Sequence, residues 1–364
     1  MKTPDKRVYY SLARPRNCTL ANVVQRTSLA VLLLCFWCPS FLAAEDQATG
    51  ALFLPNEKFK SLDKAEPPPG AAVGERRITM RPRFPQPRAQ GIRQSSCVGF
   101  AVAYALKSYL DSIQLGWSDF GDDHVYSPAF IYNQFSNDHG TSGIYIQQAL
   151  AYLQGGGCCS WKMMPYDPND ADSKPTRDII DAARQSRIAS WEPVNVRDIN
   201  KMKSYLVTQI PVAIGAWVDV QDRGTWGQNS KGITDHYLHE DRNQQGYHSM
   251  VVIGYDDDKG AFEIINSWGP NWGDAGYGWI DYKFWPSWVN EGYIAINTKT
   301  TSLAPGSAIT AKDIKWLPVG PEGKVNGNWG FPWNVNLKAL KPSKDKTLPV
   351  EVKQYLPKSF QKSS

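Results

Sequence analysis

A chain of 364 residues is long enough for two ordinary domains, or for one large domain with appendages. With 42% hydrophobic and 21% charged residues it has globular composition, which excludes wholesale disorder, collagen and coiled coil. Its formal charge of +5 resides in residues 1–44, where six basic residues face Asp5 alone; the remainder holds 34 charges of each sign, so no basic field for nucleic acid persists beyond that stretch.

From Lys6 to Ala44 there is no acidic residue, and Arg26 precedes a short apolar run, Leu29 to Cys38, that ends in Pro39, Ser40 and small residues. This pattern predicts a secretory signal peptide over 1–44, or a signal anchor if it stays uncleaved, and hence export to a periplasm or beyond. The apolar run falls short of the roughly 18 residues of a spanning helix, so membrane contact is expected only through this N-terminal segment. Cys18, Cys35 and Cys38 lie in it. The mature chain keeps Cys97, Cys158 and Cys159, too few for a disulfide framework, and an odd cysteine in an exported protein points to a reactive thiol.

Residues 45–82 read as a Pro-rich arm without a core of its own and a candidate short pro-segment; the Pro-rich part at 65–88 is its candidate cleft occupant. Residues 97–110 (CVGFAVAYALKSYL) are apolar on nearly every face. They predict a buried helix starting at Cys97, with Ser95 and Ser96 as N-cap candidates. Residues 127–135 and 144–154 predict two more helices. Around residue 200 the period changes, and 210–220, 249–255, 261–265, 277–282 and 293–296 read as strands. Helices first and an antiparallel sheet second give an α+β fold, with 83–195 mainly helical and 196–300 mainly β. From 301 to 364 the chain becomes a Lys- and Pro-rich extension with ten Lys and four acidic residues.

Three residues carry candidate chemistry. Cys97 at a helix start is placed where backbone N–H groups favour a thiolate, although a small buried thiol fits the same pattern. His248 opens the strand SMVVIGYD and Asn266 closes FEIIN, with the turn Asp256-Asp257-Asp258-Lys259-Gly260 midway. In a hairpin the two lie at or near opposite positions, where an Asn can hold an imidazole in one tautomer and leave its other nitrogen to take a thiol proton.

Gln90 to Ala101 (QGIRQSSCVGFA), the string HSMVVIGY from His248, and NSWG from Asn266 followed by WGDAGY resemble the active-site segments of papain-like cysteine peptidases. The resemblance covers about residues 83–300, with Cys, His and Asn in that family's order at separations of 151 and 18 residues. It implies a papain-like fold with the cleft between a helical and a β half. It also implies Cys97 as nucleophile, His248 as acid/base, Asn266 as its orienting group and Trp268 as a shield over the His–Asn bond. Gly143, Tyr145 and Tyr247 would line the cleft; the substrate would be peptide or protein, with no metal or other cofactor. The oxyanion donor would be Gln90, with Gln94 as runner-up, because Gly91 occupies the usual glutamine position. Val98 replaces the usual Trp, and Gln94 stands where a disulfide cysteine is common. No long helical propeptide is evident. These departures resemble a divergent bacterial branch.

Other readings are weaker. His236-Tyr237-Leu238-His239-Glu240 lacks metal-site order and reads as a polar loop. Cys158-Cys159 read as two thiols ending the second helix, with a vicinal disulfide as the alternative. Trp316, Trp329 and Trp333 read as packing residues of the tail. The rival functions are a catalytically silent peptide-binding cleft, and acyl transfer or isopeptide cleavage by the same dyad.

Overall fold

The computed structural model describes residues 48–68, 71, 73–136, 138–219 and 245–297, and the backbone of short strands at 233–234, 314–316 and 333–335. The leader, the His236–Glu240 loop and the tail's side chains lie outside the described residues. Helix α1 (Asn56–Ser61) and strand β1 (Arg77–Thr79) precede a continuous helical rod, α2, over 97–115. The rod is α-helical over Cys97–Gly99, π-helical over Phe100–Lys107 and α-helical again over Ser108–Leu115. Its first eleven residues are buried, from Cys97 to Lys107. Small residues let neighbours approach: a Cβ on Gly99 would stand 2.8 Å from the Pro128 carbonyl oxygen. Gly116 ends the rod in the left-handed conformation, φ 68°, as a helix C-terminus favours. The predicted serine caps are absent. The Ser96 hydroxyl pairs with Tyr166 and that of Ser95 with the Thr141 carbonyl, because both partners compete for the hydroxyls.

Helices α3 (Pro128–Tyr132) and α4 (Ile146–Gly156) pack beside the rod. Ser127 caps α3 by accepting from Phe130 N–H, and Pro128 occupies the first turn, where a missing N–H costs nothing. Helix α5 (Arg177–Ala183) leads into strand β2 (Ile188–Pro193), then α6 (Ile199–Val207), capped by Asp198. The β half follows: β3 (Val212–Asp219), β4 (Ile233–Thr234), β5 (Gln245–Asp256), β6 (Ala261–Ile265), β7 (Tyr277–Asp281), a turn of helix α7 (Trp285–Trp288) and β8 (Val289–Asn297). Strands β9 (Ile314–Trp316) and β10 (Trp333–Val335) form a separate pair in the tail.

The sheet order is β2-β8-β3-β5-β6-β7-β4, with β1 added to β5; every pairing is antiparallel except β4 with β7. The architecture is the expected α+β fold, with two differences. Strand β2 lies in the predicted helical half but forms a sheet edge, and α6 lies in the predicted β half. The Pro-rich arm also differs from its reading: residues 77–79 are sheet, and Phe59 is buried against Tyr293. The arm has no core of its own but shares that of the body.

Candidate active site

Cys97 opens α2 and is wholly buried. His248 lies on β5 opposite Ala216 of β3, and Asn266 follows the end of β6. The hairpin register pairs Val251 with Ile265, and a bulge interrupts it between Val252 and Gly254. One further step puts Met250, not His248, opposite Asn266, so His248 is a diagonal neighbour. The side chains still meet: His248 Nε2 lies 2.7 Å from Asn266 Oδ1.

That oxygen also accepts the Ser267 backbone N–H at 2.7 Å, which fixes it as the carbonyl end of the amide. A carbonyl oxygen cannot donate, so Nε2 carries the ring's proton and the neutral ring keeps Nδ1 as its basic nitrogen. Nδ1 has no hydrogen-bond partner among the described residues. Trp268 packs its ring 4.7 Å from the imidazole, and Trp272 packs edge-on against Trp268.

Gln90 is fully buried. Its Oε1 accepts from the Ser267 hydroxyl at 2.6 Å, and its backbone N–H donates to the Ser267 carbonyl. One hydrogen of its Nε2 goes to the Gln94 carbonyl at 3.0 Å, which leaves the other for a ligand. Gln94 instead turns its amide to the Asp167 carbonyl at 2.7 Å. The Asn266-Ser267 turn thus ties Gln90, and not Gln94, to the histidine.

The cleft above these residues is filled by the chain itself. Gly50 and Ala51 N–H both donate to the Tyr247 carbonyl, at 2.7 and 3.1 Å, and Leu52 N–H donates to the Ile144 carbonyl at 2.9 Å. Leu52 forms a parallel bridge with Tyr145, and Trp268 Nε1 donates to the Ala48 carbonyl at 3.2 Å. Gly143 lies so close that a Cβ there would overlap the Gly50 carbonyl oxygen. Phe53 stands edge-on to Tyr247, ring centroids 4.3 Å apart. All three expected cleft residues, Gly143, Tyr145 and Tyr247, therefore touch residues 48–54. The expected occupant, the Pro-rich stretch 65–88, lies elsewhere. Proline has no N–H to give to the cleft carbonyls, whereas Gly50, Ala51 and Leu52 each supply one.

This cover reverses the electrostatics expected for a helix-start thiol. Burial pushes Cys97 up to about 11, against the backbone groups of Ser249, Val98, Ala51 and Gly50, which pull it down. Burial pushes His248 down to about 4, against its bond to Asn266. In the covered cleft burial favours the neutral form of both groups, the thiol and the imidazole, because desolvation outweighs the helix start. Cys158 and Cys159 are free, buried thiols. No cluster of three or more metal-ligating side chains occurs among the described residues.

Two contributors carry no sequence signal of their own. The Ser249 backbone reaches the thiol because β5 passes the start of α2. Glu291, fully buried on β8, accepts from Leu54 N–H at 3.3 Å. Only the β8–β3 pairing brings it to the cleft.

The sequence model of the papain family cysteine proteases matches residues 95–304, more than half of the chain, and the chain belongs to that family. It is 25% identical over 147 residues to "Peptidase 1" of Dermatophagoides farinae, covering 40% of this chain and 43% of the relative. It is 24% identical over 186 residues to cathepsin K of Mus musculus, covering 50% and 52%. The chain thus spans about half or less of the length of these relatives. Among solved structures, xylellain, a cysteine protease from Xylella fastidiosa, matches with a TM-score of 0.58 and 22% identity over 70% of this chain and 97% of that one. The procathepsin B S9 of Trypanosoma congolense matches at 0.54 and 16% identity, over 70% and 88%. These likenesses establish the papain-like fold. No helix among the described residues is long and apolar enough to cross a membrane.

Proposed function

We propose that this chain is an exported thiol peptidase whose triad is Cys97, His248 and Asn266, held latent by residues 48–54 of its N-terminal arm. The observation that carries the reading is the double acceptor role of Asn266 Oδ1, which leaves His248 Nδ1 as the ring's unpaired basic nitrogen. Once the arm leaves, water re-enters and the desolvation that keeps thiol and imidazole neutral falls away. His248 Nδ1 takes the Cys97 proton, and the thiolate attacks the peptide carbonyl carbon. The developing oxyanion accepts from Cys97 N–H and the unused Gln90 Nε2 hydrogen. His248 returns its proton to the leaving amine, and water hydrolyses the thioester, regenerating the thiol. Trp268 covers the His248–Asn266 bond throughout. The leader supports export, and within the arm 45–82 the inhibitory stretch is residues 48–54.

The test is thiol labelling by an epoxide at neutral pH, read by intact mass. The full chain carries an inserted site for a specific protease after Pro55, is folded whole and is then cut. One adduct on the cut protein, absent in Cys97→Ala, is expected. An unlabelled cut protein, or equal labelling of the variant, overturns the reading in favour of a silent peptide-binding cleft.

A further inference from the structure

The far end of α2 is incompletely covered. Ile113 and Leu115, in its last turn, are 50% and 51% exposed. Leu110 lies three residues before Ile113, on the same helix face, and is half-buried. Trp117 and Phe120, just after the helix, are half-buried too. Apolar side chains exposed singly are ordinary, and Val73, Ile92 and Met163 are of that kind, on separate loop segments. At the end of the rod five apolar residues fall within eleven positions, and together they leave an apolar surface partly open to water.

The chain leaves the body at the same place. Strand β8 ends at Asn297, whose side chain bonds to Lys107 and Asp111 of the rod. Ile113 is two residues beyond Asp111, about 3 Å further along the helix axis. Residues 298–313, between β8 and β9, extend over about 55 Å at most, ample for a return to the rod. Strands β9 and β10 then pair Ile314 with Val335, Lys315 with Asn334 and Trp316 with Trp333. Alternation along a strand places Ile314, Trp316, Trp333 and Val335 on one face of this ribbon, and Lys315 and Asn334 on the other. A two-stranded ribbon is marginal in water and gains stability by packing an apolar face on a helix. The signs of charge agree with such a match. Residues 108–124 hold four Asp and no Lys or Arg, whereas residues 301–364 hold ten Lys and four acidic residues. Arg88, Lys162 and His124 already pair with Asp122, Asp123 and Asp119, so this attraction is secondary to the apolar fit.

We infer that the far end of α2, around Leu110, Ile113 and Leu115, is the docking surface for this chain's own C-terminal extension, through the apolar face of the β9–β10 ribbon. A tether that starts beside Asp111 holds the ribbon near the surface at an effective concentration on the order of millimolar, which a second copy does not reach in dilute solution. The helix supplies the ribbon with the apolar partner that two strands lack, and the ribbon covers Ile113 and Leu115. Docking clamps the C-terminal end of the rod whose first residue is Cys97. It draws on no part of the thiol chemistry, so it stands or falls separately from the peptidase reading.

The test is site-specific photo-crosslinking in the full chain. One preparation carries p-benzoylphenylalanine in place of Ile113, and a second carries it in place of Met163, another exposed apolar position. After irradiation, crosslinked peptides are identified by mass spectrometry. Position 113 should join to peptides within residues 312–337 at the mass of a single chain, and position 163 should not. Trp316→Asp combined with Trp333→Asp, both outside the body, should cut the yield from position 113 by roughly ten-fold or more. Burying one large apolar side chain is worth about that factor. Products of doubled mass would put a second copy on this surface and overturn the inference. Equal tail crosslinking from positions 113 and 163, an undiminished yield in the Trp316→Asp, Trp333→Asp chain, or no crosslink to the tail from position 113 overturns it as well.

Discussion

His248 and Glu291 titrate in opposite senses under the same cover. His248 is held neutral down to about 4 by burial, whereas a solvated histidine takes its proton near 6.5. An uncovered or unfolded state therefore binds more protons as pH falls, and the stability of the covered state is lost between 6.5 and about 4. Glu291 is raised to about 7, so its contribution is complete below the solvated value of 4.5 and is lost as pH rises through about 7. In the wild type the two slopes oppose each other across the interval they share. Glu291→Gln removes one of them. In that variant the amides of residues 48–54 should exchange progressively faster as pH falls from 6.5 towards 4, after correction for intrinsic exchange, as read by hydrogen exchange and mass spectrometry. Exchange protection that stays flat would mean that His248 is not desolvated by the arm. Cys97 sets the opposite limit: its thiol, raised to about 11, should label in the uncut chain only as pH climbs past 9.

The cover is a run of extended chain laid across glycines. Gly143, Gly215 and Gly246 each approach it so closely that a Cβ would collide with Gly50, Phe53 or Thr49. Gly143 meets backbone, the Gly50 carbonyl group, which cannot rotate away as a side chain would. Gly143→Ala should therefore lift residues 48–54 while sparing the body, and the uncut variant should label at Cys97 at neutral pH. Gly74→Ala, where a Cβ meets nothing within 4 Å, is the control and should label no faster than wild type. Equal labelling of the two variants would remove the cover from the account of latency.

These elements were unequally legible. The strands around His248 and Asn266 and the helix at Cys97 were readable because each is a contiguous apolar run with a turn or small residues at its end. The register of the hairpin was not: it puts Met250 opposite Asn266 and leaves His248 two positions further along β5. Helix α6 hid because its stretch INKMKSYLV buries Lys203, which a polar pattern assigns to the surface; Lys203 pairs there with Asp257 at 2.6 Å. Proline drew the arm's reading to 65–88, whereas the cleft takes short residues with free N–H groups. Glu291 had no motif, since only a long-range pairing gives it meaning.

At the scale of the whole molecule, the helical and β halves are joined behind the cleft by a buried polar knot that no motif announced. Lys107, 1% exposed within the π-helical part of α2, pairs with Asp111 one turn on and donates to Asn297 Oδ1 of β8 at 3.0 Å. Asn297 Nδ2 also donates to Asp111, and the Tyr126 hydroxyl donates to the other Asp111 oxygen. The knot fixes α2, and with it Cys97 at the far end of the same rod, against the sheet that carries His248. Desolvation lowers the Lys107 pKa, and Asp111 opposes that effect, so the ammonium depends on its partner. Removing one member leaves a buried charge uncompensated, which costs about 3–5 kcal/mol. Lys107→Met should accordingly lower the melting temperature by roughly 6–20 °C at about 2–4 °C per kcal/mol. Lys107→Met combined with Asp111→Leu, Asn297→Leu and Tyr126→Phe removes both charges and their polar partners, and should recover much of that loss. Calorimetry of the two variants checks both steps. A single variant as stable as wild type would show that the knot does not bind the halves together, and that the rod is held by its apolar face alone.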